Sequence, residues 1–172
     1  MDFGEAIQSG FRKYATFSGR AVRSEYWYWF LFGILASIAA AIVDALLRTH
    51  GALRGLVSLA LFLPGLAVAV RRLHDIGRSA WWLLLLYLPT AVGAAFLAIG
   101  AIAIGVAIFG QRSGSGLGVA GLVIVLFGLV FFLAGLIFWV YTMTRPGEPG
   151  SNQYGPAADS AGAQLGPGTT AS

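Results

Sequence analysis

Four long apolar runs constrain this chain more than any other feature of its sequence. They cover about residues 27–47, 53–70, 80–109 and 117–143 of 172. The hydrocarbon core of a bilayer is about 30 Å thick, and roughly 20 helical residues cross it at 1.5 Å each. A continuous apolar run pairs its backbone amides inside a membrane by forming a helix. The sequence therefore predicts an all-α, polytopic membrane helix bundle with four transmembrane helices.

Two of these runs depart from a simple span. The run at 53–70 is short and contains Pro64, which lacks an amide hydrogen, so a kinked span and a re-entrant segment both fit it. The run at 80–109 is longer than one crossing needs. It is expected to tilt strongly, to break near Gly93 or Gly100, or to extend beyond the bilayer.

Charge sets the expected orientation. With the N-terminus in the cytoplasm, eight Lys and Arg lie on the cytoplasmic side and three, including Arg112, lie on the other, in the sense of the positive-inside rule. All five tryptophans fall at predicted cytoplasmic ends of spans, at the headgroup level that they prefer. We predict that both termini are cytoplasmic. The domains would be a juxtamembrane segment at 1–26, the four-helix domain at 27–143, and a turn motif with a disordered tail at 144–172.

Smaller patterns predict helix contacts. The N-terminal segment has Phe3, Ile7, Phe11 and Tyr14 at helical spacing, which fits either an amphipathic helix on the membrane surface or an ordinary cytosolic extension. Small residues allow close backbone approach between membrane helices. Two series of them predict packing seams within the bundle, with homo-oligomerisation as the alternative use: Gly33, Ser37, Ala41 and Ala45 in the first run, and Gly121, Gly128 and Gly135 in the fourth.

Three polar motifs fall on the predicted cytoplasmic side. The first precedes the first run and contains Arg20, Arg23 and Glu25, whose simplest interpretation is a topology anchor with a capped helix. The second lies in the predicted loop between the second and third runs. It holds three arginines, a histidine and a carboxylate within eight residues, followed by a serine: Arg71, Arg72, His74, Asp75, Arg78 and Ser79. Arginine forks match phosphate oxygens, so this motif predicts an anion-binding site.

The third motif follows the fourth run and contains Asn152 and Tyr154 among Pro and Gly residues. That composition predicts turns, and these form either a plain exit from the last span or a segment that docks against the other two motifs.

Enzyme chemistry finds little support in the sequence. The chain has no cysteine, and His74 next to Asp75 lacks the further groups of a recognisable catalytic arrangement. It has two histidines, and His50 is expected on the opposite side of the membrane from His74, so no metal site is predicted. We predict no catalytic residue and no cofactor.

Asp44 is the one acidic residue inside a predicted span. Such a residue would ordinarily mark a transport pathway. Because Asp44 lies near the outer boundary and Arg48 follows four residues later, an interfacial ion pair is the simpler interpretation.

These motifs together resemble the family known as domain of unknown function 805, small bacterial inner-membrane proteins. The matching stretches are Phe-Ser-Gly-Arg at 17–20 leading to Arg-Ser-Glu-Tyr-Trp at 23–27, Arg-Arg-Leu-His-Asp-Ile-Gly-Arg-Ser at 71–79 leading to Trp81 and Trp82, and Gly150, Asn152, Tyr154 and Gly155. The resemblance implies a multi-pass protein of the bacterial cytoplasmic membrane and assigns no activity. The long, glycine-rich region from Gly93 to Gly121 departs from the commoner family form.

The leading functional hypothesis is a non-enzymatic membrane module. Its three motifs would bind an anionic lipid headgroup, or another membrane or cytosolic protein, and no nucleic acid partner is predicted. The alternative is a small-solute transporter or channel component that uses Asp44 and the Pro64 kink. The third alternative is an enzyme that acts on lipid phosphate and needs His74 for turnover. A purely structural role, in which Glu25 and Asp75 neutralise neighbouring arginines, is the remaining interpretation.

Overall fold

The computed structural model describes residues 1–109 and 115–158, and in these ranges it consists of α-helices without a β-strand. The helices are α1 (Phe3–Arg12), α2 (Arg23–Leu47), α3 (Ala52–Asp75), α4 (Trp82–Phe109) and α5 (Ser115–Thr144). The last four are long and apolar enough to cross a bilayer. This confirms the predicted all-α fold with four transmembrane helices. The cytoplasmic placement of the termini stays a prediction, and Arg112 and the tail from 159 lie outside the described residues.

The observed helix bounds differ from the apolar runs. The helix α2 begins at Arg23, before its first tryptophan, and α4 continues unbroken through both of its glycines, Gly93 and Gly100. The helix α3 runs through Pro64 and ends only at Asp75. Residues 71–75, expected in a loop, are therefore helical, because their charged side chains find partners inside the protein instead of water.

The chain forms two compact units. The first contains Met1–Ala80 together with the chain from Arg145, and the second contains Trp81–Thr144. In the first unit α2 and α3 form a helical hairpin that α1 packs against. A capping box starts α1: the Glu5 amide donates to Asp2 Oδ1 and the Asp2 amide to Glu5 Oε2, both at 2.8 Å.

Aromatic side chains fasten α1 to α2. The ring of Phe3 meets Tyr28 edge-on, and the ring of Phe11 meets Trp29 in the same way, at centroid distances of 5.8 and 5.2 Å. A Cβ at Gly10 would overlap the Trp29 ring, so the glycine permits this close approach. The predicted amphipathic segment is thus a helix packed into the first unit.

The second unit is an α4–α5 pair held by glycines. A Cβ added at Gly128 would lie 2.8 Å from the Leu97 amide nitrogen and 2.9 Å from the Gly93 carbonyl oxygen. The glycines seven residues before and after it, Gly121 and Gly135, also abut α4. The predicted seam in the fourth run is therefore confirmed, since only glycine lets these backbones approach so closely.

The seam predicted in the first run is wrong at its ends. A Cβ at Gly33 would meet nothing within 4 Å, and Ala45 is exposed. The buried positions on this part of α2 are Ala40 and Asp44. The face in contact with other residues is therefore rotated from the predicted one.

Candidate functional site

Five charged side chains from the first two motifs meet inside the first unit. We call this set the arginine cluster: Arg20, Glu25, Arg71, Arg72 and Asp75. Arg20 lies in the segment before α2, Glu25 lies in the first turn of α2, and the other three lie at the end of α3. All five are buried, and both Arg71 and Arg72 have no exposed surface. Charged groups this buried require close partners.

Asp75 is the centre of the cluster. Its Oδ1 accepts from Arg20 Nε at 2.9 Å, and its Oδ2 accepts from Arg72 Nη1 at 2.5 Å. The carboxylate therefore joins the segment before α2 to the end of α3. Its backbone carbonyl accepts from the Glu148 amide at 2.8 Å, which brings in the chain after α5.

Arginine donors bind the C-terminal segment through its backbone. Arg20 donates through Nη1 to the Gly150 carbonyl at 2.6 Å and through Nη2 to the Glu148 carbonyl at 2.5 Å. Arg72 Nη2 donates to the carbonyl of Arg145. Because the acceptors are main-chain oxygens, these bonds fix the path of the segment whatever side chains it carries.

The Arg71 guanidinium is only partly satisfied. Its Nη1 donates at 2.8 Å to Glu25 Oε1, which also accepts from the Ser9 hydroxyl at 2.9 Å. Its Nε and Nη2 are buried and have no hydrogen-bond partner in the described part of the chain. The cluster thus combines three arginines with two carboxylates and leaves one positive charge in excess.

The third motif packs against the same end of α3. The Tyr154 ring stacks on the His74 ring at a centroid distance of 3.8 Å with 1° between the ring planes. Asn152 Nδ2 donates to the His74 carbonyl at 2.9 Å, and Asn152 Oδ1 accepts from the Tyr154 amide at 2.9 Å. His74 Nδ1 lies 3.2 Å from the Gly19 carbonyl oxygen. The segment with the third motif therefore docks against the other two motifs, which was one of its two predicted roles, and is not a plain exit from the last span.

The remaining predicted residues are more exposed. Arg23 and Ser24 line an open cleft of about 460 Å³ together with Arg20, Asp75 and the chain around Glu148. Arg78 and Ser79 are half-buried and follow the end of α3. The three motifs, well separated along the chain, thus come together in one region of the first unit.

Asp44 has a separate, structural position. Its carboxylate accepts from the Thr49 hydroxyl, from the Leu53 amide at 3.0 Å and from the Arg54 amide at 2.8 Å. It thereby caps the start of α3, whose own N-cap residue, Gly51, has no side chain to do so. The ion pair predicted with Arg48 is not among the salt bridges of residues 1–109 and 115–158. The Asp44 carboxylate accepts from backbone amides instead of pairing with Arg48.

Two contributors were missed by sequence reasoning. Ser9 reaches Glu25 from α1, and the Glu148 carbonyl accepts from Arg20. The first had a detectable signal, because Ala6, Ser9 and Gly10 form a buried strip of small residues at helical spacing. The second had none, since a backbone acceptor leaves no mark on the sequence.

The helices and the buried charged cluster define a polytopic α-helical membrane protein. The chain belongs to the family described as protein of unknown function (DUF805), which matches residues 14–156. It is similar to the inner membrane protein YhaH of Escherichia coli (strain K12), with 40% identity over 83 residues that cover 45% of this chain and 69% of the relative. It is also similar to the inner membrane protein YhaI of the same strain, with 44% identity over 82 residues that cover 45% and 67%. No solved structure matches the chain. It is a multi-pass protein of the bacterial inner membrane.

Proposed function

We propose that this protein is a non-enzymatic membrane module whose arginine cluster binds the phosphate of an anionic lipid headgroup at the cytoplasmic face. The observation that carries the proposal is the edge of the Arg71 guanidinium formed by Nε and Nη2, buried and without a partner in the described ranges. A buried donor without an acceptor costs about 1–3 kcal/mol, and more when it is charged. Buried donors in folded proteins nearly always have an acceptor, which is a protein group, an ordered water or a bound ligand.

The chemistry of that edge selects the ligand. The Nε and Nη2 hydrogens of arginine lie side by side in one plane and match two oxygens of a single phosphate or carboxylate. The excess positive charge of the cluster also favours an anion. A membrane protein meets phosphate oxygens at high local concentration in the headgroups of its own bilayer, whose cytoplasmic leaflet carries anionic lipids.

The neighbouring cleft supplies further donors. Arg23 is exposed there beside Ser24, and the residue before α2, Val22, makes no side-chain capping bond. The free amides of a helix N-terminus and its partial positive charge attract anions. The cleft is the exposed side of the same charged region, so it suits the outer part of a headgroup.

Access to Arg71 requires movement of the chain around it, because the residue has no exposed surface. Ser9 on α1 shares the Glu25 Oε1 acceptor with Arg71, so α1 forms part of that cover. In this proposal the charged pairs around Asp75 are the rigid frame and Arg71 is the ligand-binding member.

Native mass spectrometry from lipid nanodiscs tests the proposal. Wild-type protein is expected to retain phosphatidylglycerol and not phosphatidylcholine. The variant Arg71→Lys keeps the charge beside Glu25 and loses the planar fork, so retention should fall about ten-fold or more. Arg12→Lys is the matched control, because Arg12 is exposed on α1 and its replacement should leave retention unchanged.

Three outcomes would overturn the headgroup proposal. Retention of both lipids alike would show no preference for an anion, and equal retention by Arg71→Lys would remove Arg71 from the site. A co-purified protein mass in place of lipid would favour the protein-partner hypothesis. Displacement of the lipid by inorganic phosphate would not overturn the site and would identify the phosphate group as the part of the lipid that it recognises. The transporter alternative has no specific observation in its favour, since Asp44 is engaged in capping α3.

A further inference from the structure

Pro64 leaves one carbonyl of α3 without its helical donor. In an α-helix the amide of each residue donates to the carbonyl four residues earlier. Proline has no amide hydrogen, so the carbonyl of Ala60 loses this bond. The loss falls inside a segment long and apolar enough to cross the membrane, where water is scarce as a substitute.

The hydroxyl of Tyr14 supplies the missing donor. It donates to the Ala60 carbonyl oxygen at 2.6 Å, from a position 46 residues earlier in the chain. Tyr14 lies two residues after the end of α1, so this bond attaches the end of α1 to α3 at the carbonyl that Pro64 leaves without its helical donor.

We propose that residues 3–14, the N-terminal strap, are a displaceable cover that the Tyr14 hydroxyl latches to α3. The strap's inner strip contains Ser9, bound to the same Glu25 oxygen as Arg71. Lifting the strap breaks that bond and uncovers the Glu25–Arg71 pair. The role of the strap in admitting a ligand rests on the proposed function, whereas the hydrogen bond between Tyr14 and α3 does not.

The strap has the properties of an element that opens locally. Its helix has 10 residues, a length that is marginal without packing against the rest of a protein. Tyr14 is 38% exposed and Phe11 47%, so both side chains keep accessible apolar surface beside their contacts with α3 and α2. An amphipathic helix that leaves α3 can rest in the membrane interface instead of water, which makes its release less costly. Terminal segments of proteins open at lower free energy than the core.

The absence of cysteine from the chain allows a clean test. Ala6→Cys places a single thiol on the strap at a position with 0% exposure, so a maleimide labels it only when the strap lifts. Tyr14→Phe should accelerate labelling about five-fold, which corresponds to the loss of one hydroxyl hydrogen bond. In the protein without the introduced cysteine, Tyr14→Phe should likewise accelerate amide hydrogen exchange over α1.

Tyr28→Phe is the matched control. The Tyr28 ring packs against Phe3 of the strap, and its hydroxyl takes part in none of the hydrogen bonds among the described residues. Its replacement should leave the labelling rate unchanged. Equal acceleration by both tyrosine variants would show that the hydroxyl of Tyr14 has no special role.

A double-mutant cycle identifies the acceptor. Pro64→Ala restores an amide to the Ala60 carbonyl, so Tyr14→Phe should then change labelling by less than about two-fold. No acceleration by Tyr14→Phe, or the same acceleration with and without Pro64, would overturn the latch. Labelling needs no bound lipid. If the latch works and no lipid is retained, only the proposed function is wrong. If lipid is retained and Tyr14→Phe does not change labelling, only this inference is wrong.

Discussion

Asp75 balances two buried guanidiniums, so its neutralisation should be among the most destabilising single changes in the first unit. Asp75→Asn keeps the shape of the side chain and removes its charge. One oxygen remains for Arg20 or Arg72, and the new amide group presents hydrogens to the other, where the carboxylate had accepted at 2.9 and 2.5 Å. The excess positive charge of the cluster rises from one to two.

The expected loss of unfolding free energy is about 3 kcal/mol. Breaking a buried ion pair typically costs about 3–5 kcal/mol, because the remaining charge stays buried without compensation. The side chains involved are at most 6% exposed, so solvent screening offers little relief. We take the lower end of the range because Arg20 and Arg72 keep backbone acceptors in the C-terminal segment.

Reversible unfolding in mixed micelles, followed by tryptophan fluorescence, measures this loss. Glu148→Gln is the control: Glu148 is exposed, and its Oε2 accepts from Asn152, which a glutamine oxygen can replace. Its effect should be several-fold smaller. The combined variant Arg72→Met with Asp75→Asn should recover part of the loss, since it removes one of the uncompensated charges. An Asp75→Asn loss no larger than that of Glu148→Gln would refute the electrostatic argument.

Two further predictions concern helix contacts. Gly128→Ala should weaken the α4–α5 pair by about 1–3 kcal/mol, because the added Cβ would lie 2.8 Å from the Leu97 amide nitrogen. Gly105→Ala is the control, because a Cβ there meets nothing within 4 Å. Thermal unfolding of the two variants measures the difference, and equal unfolding midpoints would contradict the prediction. Asp44→Ala should remove about 1 kcal/mol of capping at the start of α3 and speed hydrogen exchange of the Leu53 amide about five-fold. Unchanged exchange there would show that the cap is dispensable.

The membrane helices could be predicted because their cause is local. Each apolar run is long enough to span a bilayer and forms a helix to pair its own backbone amides. The seven-residue spacing of glycines around Gly128 marks the face of α5 that packs against α4. The end of α3 could not be read in this way. Residues 71–75 look like a polar loop in sequence, and they are helical because Arg71 and Asp75 pair with residues 46 and 55 positions away.

The five charged residues of the arginine cluster could be selected from the sequence, whereas their burial and their partners Ser9 and Glu148 could not. The predicted topology placed three polar motifs on one side, and the contacts of Arg20 and Asn152 with the end of α3 agree with their proximity. Charge density alone suggested exposed arginines, since a sequence does not reveal which carboxylate meets which arginine. Tyr14 was missed although Pro64 contained a clue: a proline inside a span implies a carbonyl four residues earlier that needs another donor.

The bonds of Arg20 also constrain how the protein is made. Its acceptors Glu148 and Gly150 lie 128 and 130 residues further along the chain, beyond both α4 and α5. During synthesis, Arg20 and Asp75 are therefore in place long before the segment that completes their hydrogen bonds leaves the ribosome. The arginine cluster therefore gains its C-terminal acceptors only after both α4 and α5 have been synthesised.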